Sequence, residues 1–204
     1  MPAALRTNKS PGADAFDSSV ASNAASVPFL AFNPGVIERG GRALWELHSA
    51  YYLGGLSLLG AWQSGYEGYA KGSAGPRERI PIDGWFVQGG YLITGETIRD
   101  RTLVQPLHPF DLREGRFGCG AWELTARFSQ LDINSRVFTA GLADPTLWTN
   151  HAKLIDVGAN WYLNQFVKIQ FDWEHAMFGS PVFSNTGASQ NASDLFWIRT
   201  QLYF

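Results

Sequence analysis

From about residue 42 to the end, the chain repeats one pattern: stretches of about ten residues in which apolar and polar positions alternate. Period-two alternation marks a strand with one apolar and one polar face. The clearest stretch is VKIQFDWEHAM (167–177). Val167, Ile169, Phe171, Trp173 and Met177 fall on one face, and Lys168, Gln170, Asp172 and Glu174 on the other. KLIDVGANWYL (153–163) alternates in the same way, and only Asn164 and Gln165 separate the two, so they predict a hairpin. In AWELTARFSQL (121–131), Trp122, Leu124, Ala126 and Phe128 oppose Glu123, Thr125, Arg127 and Ser129. GWFVQGGYLIT (84–94), RALWELHSAYY (42–52), LSLLGAWQSGY (56–66) and DLFWIRTQLYF (194–204) complete the set, with VPFLAFN (27–33) as a further candidate strand. Leu53-Gly54-Gly55 is expected to close a second hairpin. The remaining connections, 67–83, 95–118, 131–151 and 178–193, are expected to be long loops.

Two all-β architectures alternate like this. A soluble sandwich buries its apolar faces between two sheets. A transmembrane barrel turns them to lipid and keeps polar side chains inside. The predicted strands are longer than the soluble mode of about 5 or 6 residues and match the roughly 9 to 11 that cross a hydrocarbon layer. Tight turns alternate with long loops, and Trp85, Trp161, Tyr162, Trp173 and Trp197 lie where interfacial aromatic girdles would need them. The expected fold is therefore an antiparallel transmembrane β-barrel, with a soluble or surface carbohydrate-binding β-sandwich as the alternative.

Composition agrees. Of 204 residues, 45% are hydrophobic, 14% aromatic and 17% charged, and 22 are glycine, a mix suited to twisted strands. A net charge of -2 argues against a nucleic-acid partner. One cysteine, Cys119, excludes an internal disulfide. His48, His108, His151 and His175 form no metal-ligand spacing, so no metal or cofactor is expected. No nucleophile elbow or other catalytic motif organises the Ser, His and acidic residues, so no enzymatic activity is expected. Residues 1–26 are rich in Ala and Ser and are expected to be a disordered segment preceding a barrel domain over 27–204. They lack the apolar core of a secretory signal.

Specific motifs add a family. GAWELTARFSQLDI (120–133) resembles the GAWEL-x-x-R-x-S signature of the phosphate-selective porin O/P family. GWFVQGGYLITGETIR (84–99), VGANWYLNQFVKIQFDWEH (157–175) and the closing RTQLYF (199–204) are similar to further motifs of that family, in the same order. The resemblance implies a sixteen-stranded, trimeric outer-membrane porin that passes small anions such as phosphate. It also implies a chain about twice as long, so the seven or eight strands here would be the C-terminal half. An eight-stranded closed barrel is the fallback. Phe204 and Leu202 resemble the C-terminal signal read by the barrel-assembly machinery.

Under this reading Glu123, Arg127, Lys168, Gln170, Asp172, Glu174, Arg199 and Gln201 face the lumen and meet the solute. Arg127, Lys168 and Arg199 supply its cations, offset by Glu46, Glu123, Asp156, Asp172 and Glu174. Leu59 and Ala61 fall on the same face and weaken a solute track along their strand. The 95–118 connection carries Arg99, Arg101, Arg113 and Arg116 and is the candidate constriction. The implied partners are outer-membrane lipid, the assembly machinery, small anions or hydrophilic solutes, and two further copies in a homotrimer.

Overall fold

A computed structural model describes residues 27–100, 104–183 and 188–203; segment 1–26, Arg101 and Phe204 lie outside the described residues. Among the described residues ten strands follow in order: β1 (Val36–Glu38), β2 (Ala43–Leu53), β3 (Leu56–Lys71), β4 (Glu78–Leu92), β5 (Phe110–Asp111), β6 (Arg116–Phe117), β7 (Ala121–Ile133), β8 (His151–Tyr162), β9 (Val167–Phe183) and β10 (Ser189–Leu202). One antiparallel sheet takes the order β3-β4-β7-β8-β9-β10, with β1 and β2 pairing successive lengths of the same edge of β3. β5 and β6 form a separate small hairpin. A single helical turn, α1 (Arg136–Thr139), lies between β7 and β8.

Two tight turns define one end of the sheet, called here the turn end. Leu53 pairs with Leu56 across Gly54-Gly55, where Gly54 takes a left-handed φ of 59° that a side chain would strain. At the β8–β9 turn the Asn164 side-chain carbonyl accepts from the backbone N–H of Phe166 at 2.8 Å and of Val167 at 3.1 Å, an Asx turn. The opposite end carries 72–77 and 134–150 and is called the loop end.

Three expectations need correction. Residues 27–33 are not a strand; the first pairing begins at Val36. The connections expected at 67–83 and 178–193 are mostly strand, since β3 continues to Lys71, β4 starts at Glu78 and β9 runs to Phe183. The reason is a reversal of the pattern. Trp85, Val87 and Tyr91 share one face of β4, and the other face carries Phe86 and Gln88. Nearer the loop end, Arg79 and Asp83 take the first face, while Ile80 and Ile82 take the second. β7 reverses likewise: Leu124 and Phe128 give way to Gln130 and Asp132, and Glu123 and Arg127 to Leu131 and Ile133. A search for one apolar face ends each strand where the faces exchange roles.

The reversed part has its own core. Phe32, Tyr69, Ile80, Ile133, Val137, Leu142 and Ala143 are buried together, with Val137 and Ile80 at 0% exposure. The sheet does not close. β10 and the β1/β2 edge remain unpaired among the described residues, so the eight-stranded closed barrel is not formed. β2 and β10 both run from the loop end to the turn end.

Candidate functional site

The first candidate surface is the apolar face. Leu47 (67% exposed), Phe196 (75%) and Ile198 (71%) lie open on it, with Leu58, Val87, Leu124, Val157 and Phe171 between them. Register places these residues on one side of the sheet formed by β2, β3, β4, β7, β8, β9 and β10. Soluble monomers rarely leave an apolar patch beyond a few hundred Å² uncovered. Aromatic pairs border the patch: Trp122 stacks on Trp161 at 5.2 Å toward the turn end, and Trp45 meets Trp62 edge-on at 4.5 Å toward the loop end. Trp85 packs on Phe128 at 5.4 Å. Two girdle residues expected from sequence belong to the opposite face. Tyr162 is buried and donates to Glu123, and Trp197 donates its indole N–H to Glu174 Oε1 at 2.8 Å.

The polar face is built from cross-strand rows. One row aligns Glu123, Asn160, Gln170 and Arg199 across β7, β8, β9 and β10. Gln170 donates to the Asn160 carbonyl at 3.0 Å, and Asn160 donates to Glu123 Oε2 at 2.8 Å. The Tyr162 hydroxyl donates to the same oxygen at 2.7 Å. A buried carboxylate with charge-assisted donors is held in one place. Gly90 on β4 makes room for it: a Cβ there would lie 2.6 Å from Glu123 Oε1 and 2.7 Å from Ser57 Oγ. A second row aligns Gln88, Arg127, Asp156 and Glu174. Asp172 lies between the rows, facing Gly158 on β8 and Trp197 on β10. Lys168 and Gln201 pair at the turn end.

The three cations share a device. Arg127 lies over the Phe86 ring at 4.2 Å, Lys168 over Tyr162 at 4.9 Å and Arg199 over Trp197 at 4.7 Å. Ring faces hold a cation without neutralising it. Carboxylates stand in the same rows, Glu123 with Arg199 and Asp156 and Glu174 with Arg127, so the face is of mixed sign. Asn160 and Phe86 were not among the wall residues expected from sequence, and Tyr162 and Trp197 were expected in the girdles. Their signal is register: once the β8–β9 turn is placed, Asn160 must face Gln170.

The 93–120 connection crosses the turn end. Ile98 and Val104 pack on Leu92, Ala121 and Tyr162 of the polar face. Its arginines lie elsewhere. Arg99 is exposed. Arg113 and Arg116 belong to the β5–β6 hairpin, paired with Asp111 at 3.0 Å and Glu114 at 3.1 Å, with their side chains 68% and 62% exposed. Arg113 also covers the Phe166 ring at 4.7 Å. Its hydrogen bonds hold the Asp111 carboxyl below the usual carboxylate range. Asn164 ties the hairpin to the β8–β9 turn by donating to Phe110 O at 2.8 Å.

Long antiparallel strands with an open apolar face, aromatic borders and a mixed-charge polar face define a section of a transmembrane β-barrel wall. The sequence profile of the family described as "Phosphate-selective porin O and P" matches residues 33–204, and the chain belongs to that family. It is similar to Porin O of Pseudomonas aeruginosa, 26% identical over 128 residues, a stretch covering 62% of this chain and 28% of Porin O.

Proposed function

We propose that the chain forms part of an outer-membrane porin through which small hydrophilic solutes, anions included, diffuse passively. The carrying observation is that the strands that turn Leu124, Val157 and Phe171 outward turn Arg127, Asp156 and Asp172 the other way. Lipid satisfies the first set and a water-filled lumen the second. Glu123, Arg127, Lys168, Gln170, Asp172, Glu174, Arg199 and Gln201 are then wall residues of the lumen. Lys168 and Arg199 are the cations an anion meets nearest the turn end. The opposed carboxylates make this a diffusion wall of mixed sign, whose anion preference comes from how far each cation reaches from its ring. Leu202 and Phe204 would direct insertion by the barrel-assembly machinery, and the functional unit would be a trimer.

Reconstitution into planar bilayers of the complete porin, in which further strands close the wall around this chain, tests this reading. Steady ohmic conductance is expected, with a reversal potential in a KCl gradient that favours chloride and shifts toward cations in Lys168→Glu and Arg199→Glu. A wild-type cation preference would sink the anion assignment, and an absence of conductance would sink the porin.

A further inference from the structure

Two cations of the polar face are held in a common way that charge alone does not explain. The Lys168 ammonium lies 4.9 Å from the centre of the Tyr162 ring, and the Arg199 guanidinium 4.7 Å from that of Trp197. Each ring is in turn held by its polar edge. The Tyr162 hydroxyl donates to Glu123 Oε2 at 2.7 Å, and the Trp197 indole N–H donates to Glu174 Oε1 at 2.8 Å. The same sequence of carboxylate, ring and cation thus recurs on different strands. Glu123 on β7, Tyr162 on β8 and Lys168 on β9 form one set; Glu174 on β9, with Trp197 and Arg199 on β10, forms the other.

A phenol or indole that donates to a carboxylate gains electron density in its ring, and a richer face draws a cation more strongly. The charge-assisted bond also fixes the plane of the ring, and with it the place of the long side chain that lies on it. Neither effect needs the carboxylate to touch a solute. Glu123 is only 8% exposed; Asn160 donates to its Oε2 at 2.8 Å, and its Oε1 lies against Gly90 and Ser57. Asp172 is different. It stands on the same face, and its Oδ2 accepts no hydrogen bond among the described residues. Phe86, the ring beneath Arg127, has no polar edge with which to hold a carboxylate.

We propose that Glu123 and Glu174 are positioning residues for Lys168 and Arg199: each carboxylate holds the edge of one ring, and the face of that ring holds one cation in the solute track. Both acids then support an anion preference that their charge alone would oppose. The proposal rests on the porin reading for this consequence and on the two carboxylate–ring–cation sets for its geometry.

Reversal potentials of the complete porin in a KCl gradient give the first test, because a plain charged wall predicts the opposite sign. Glu123→Gln and Glu174→Gln each remove a negative charge, yet each is expected to lower the chloride-to-potassium permeability ratio about twofold. Asp172→Asn, which also removes a negative charge, is expected to raise it. Tyr162→Phe and Trp197→Phe leave every charge in place and break only the link to the carboxylate, and both should lower the ratio. Glu123→Gln should add nothing to Lys168→Met. A rise in the two Gln variants, or no change in the two Phe variants, would overturn the proposal. The second test does not need conduction. After reductive methylation with carbon-13 in detergent, the Lys168 methyl signal, assigned by its absence in Lys168→Arg, is expected to be shifted upfield by the Tyr162 ring. The shift should shrink in Glu123→Gln and Tyr162→Phe. An unshifted wild-type signal, or a shift that both variants retain, would also overturn it. A silent wild type would fail the porin reading, and the methyl signal would still decide the positioning.

Discussion

Strand β4 turns Trp85, Val87 and Tyr91 to one side and, nearer the loop end, Arg79 and Asp83 to that same side. The backbone and pairing are continuous through the change, so the difference lies in the surroundings. Along the first length the outside is apolar and the inside is charged. Along the second the outside is charged, and the inside holds a closed core of Tyr69, Ile80, Ile133, Val137 and Leu142. One length is built inside-out for lipid, the other as any water-soluble sheet with a covering layer. Under the proposed porin reading, the exchange of faces near Asp83, Gln130 and Lys153 is where the hydrocarbon layer would end toward the loop end.

The sharpest way to break this comparison is to remove packing from the soluble half. Leu142→Ala should cost about 2–5 kcal/mol locally, because a fully buried leucine leaves a cavity. Hydrogen exchange would show it as faster exchange at Asn33 and Leu142, with β8 and β9 unchanged. Charge on the outside is the next test. Val157→Arg should weaken folding into lipid vesicles by about 2–4 kcal/mol, the cost of a cation near the bilayer midplane. Asp83→Arg, on the same side but past the exchange of faces, should be near neutral. Urea titration of refolded vesicles measures both, and an equal penalty at the two sites would erase the proposed boundary.

A smaller effect is expected at the turn-end rim. Trp161 stacks on Trp122 and donates its indole N–H to Cys119 O at 2.8 Å. Trp161→Ala should lose about 1 kcal/mol beyond area burial from the ring pair, read by the same titration. The smallest effect is a dependence on pH. The Asp111 carboxyl is held below its ordinary value by Arg113, so the ion pair supports the β5–β6 hairpin above the ordinary carboxylate range. That support is lost as pH falls through the lowered value. The protection factors of the Phe110 and Gly118 amides, which donate to Leu163 O and Pro109 O at the ends of the hairpin, should fall only in that acid range, and a fall near neutrality would refute the assignment.

The membrane half was legible in the sequence because lipid and water impose one alternation of fixed phase. The faces of 121–131, 153–163 and 167–177 are those the structure shows. The soluble half was not legible, because its apolar residues change phase and their partners are distant. Ile80 is covered by Val137 and Leu142, which lie on a connection that local pattern reads as loop. The residues of the polar face could be named from alternation alone. What each one touches could not, since the ring under Arg127 comes from β4 and the donors to Glu123 come from β8. Tyr162 and Trp197 misled for a related reason: a strand-end aromatic serves a girdle or a buried network according to which side it faces.

The directions of the two free edges carry one more consequence. β2 and β10 descend together from the loop end to the turn end, so joining them would require a parallel seam in an otherwise antiparallel wall. An antiparallel cylinder therefore needs an odd number of further strands between them. The same parity forbids a ring of whole copies of this sheet joined edge to edge, since every joint would meet two descending strands. Counting directions in this way leaves the missing arc a matter of arithmetic: whatever completes the wall begins and ends with a rising strand.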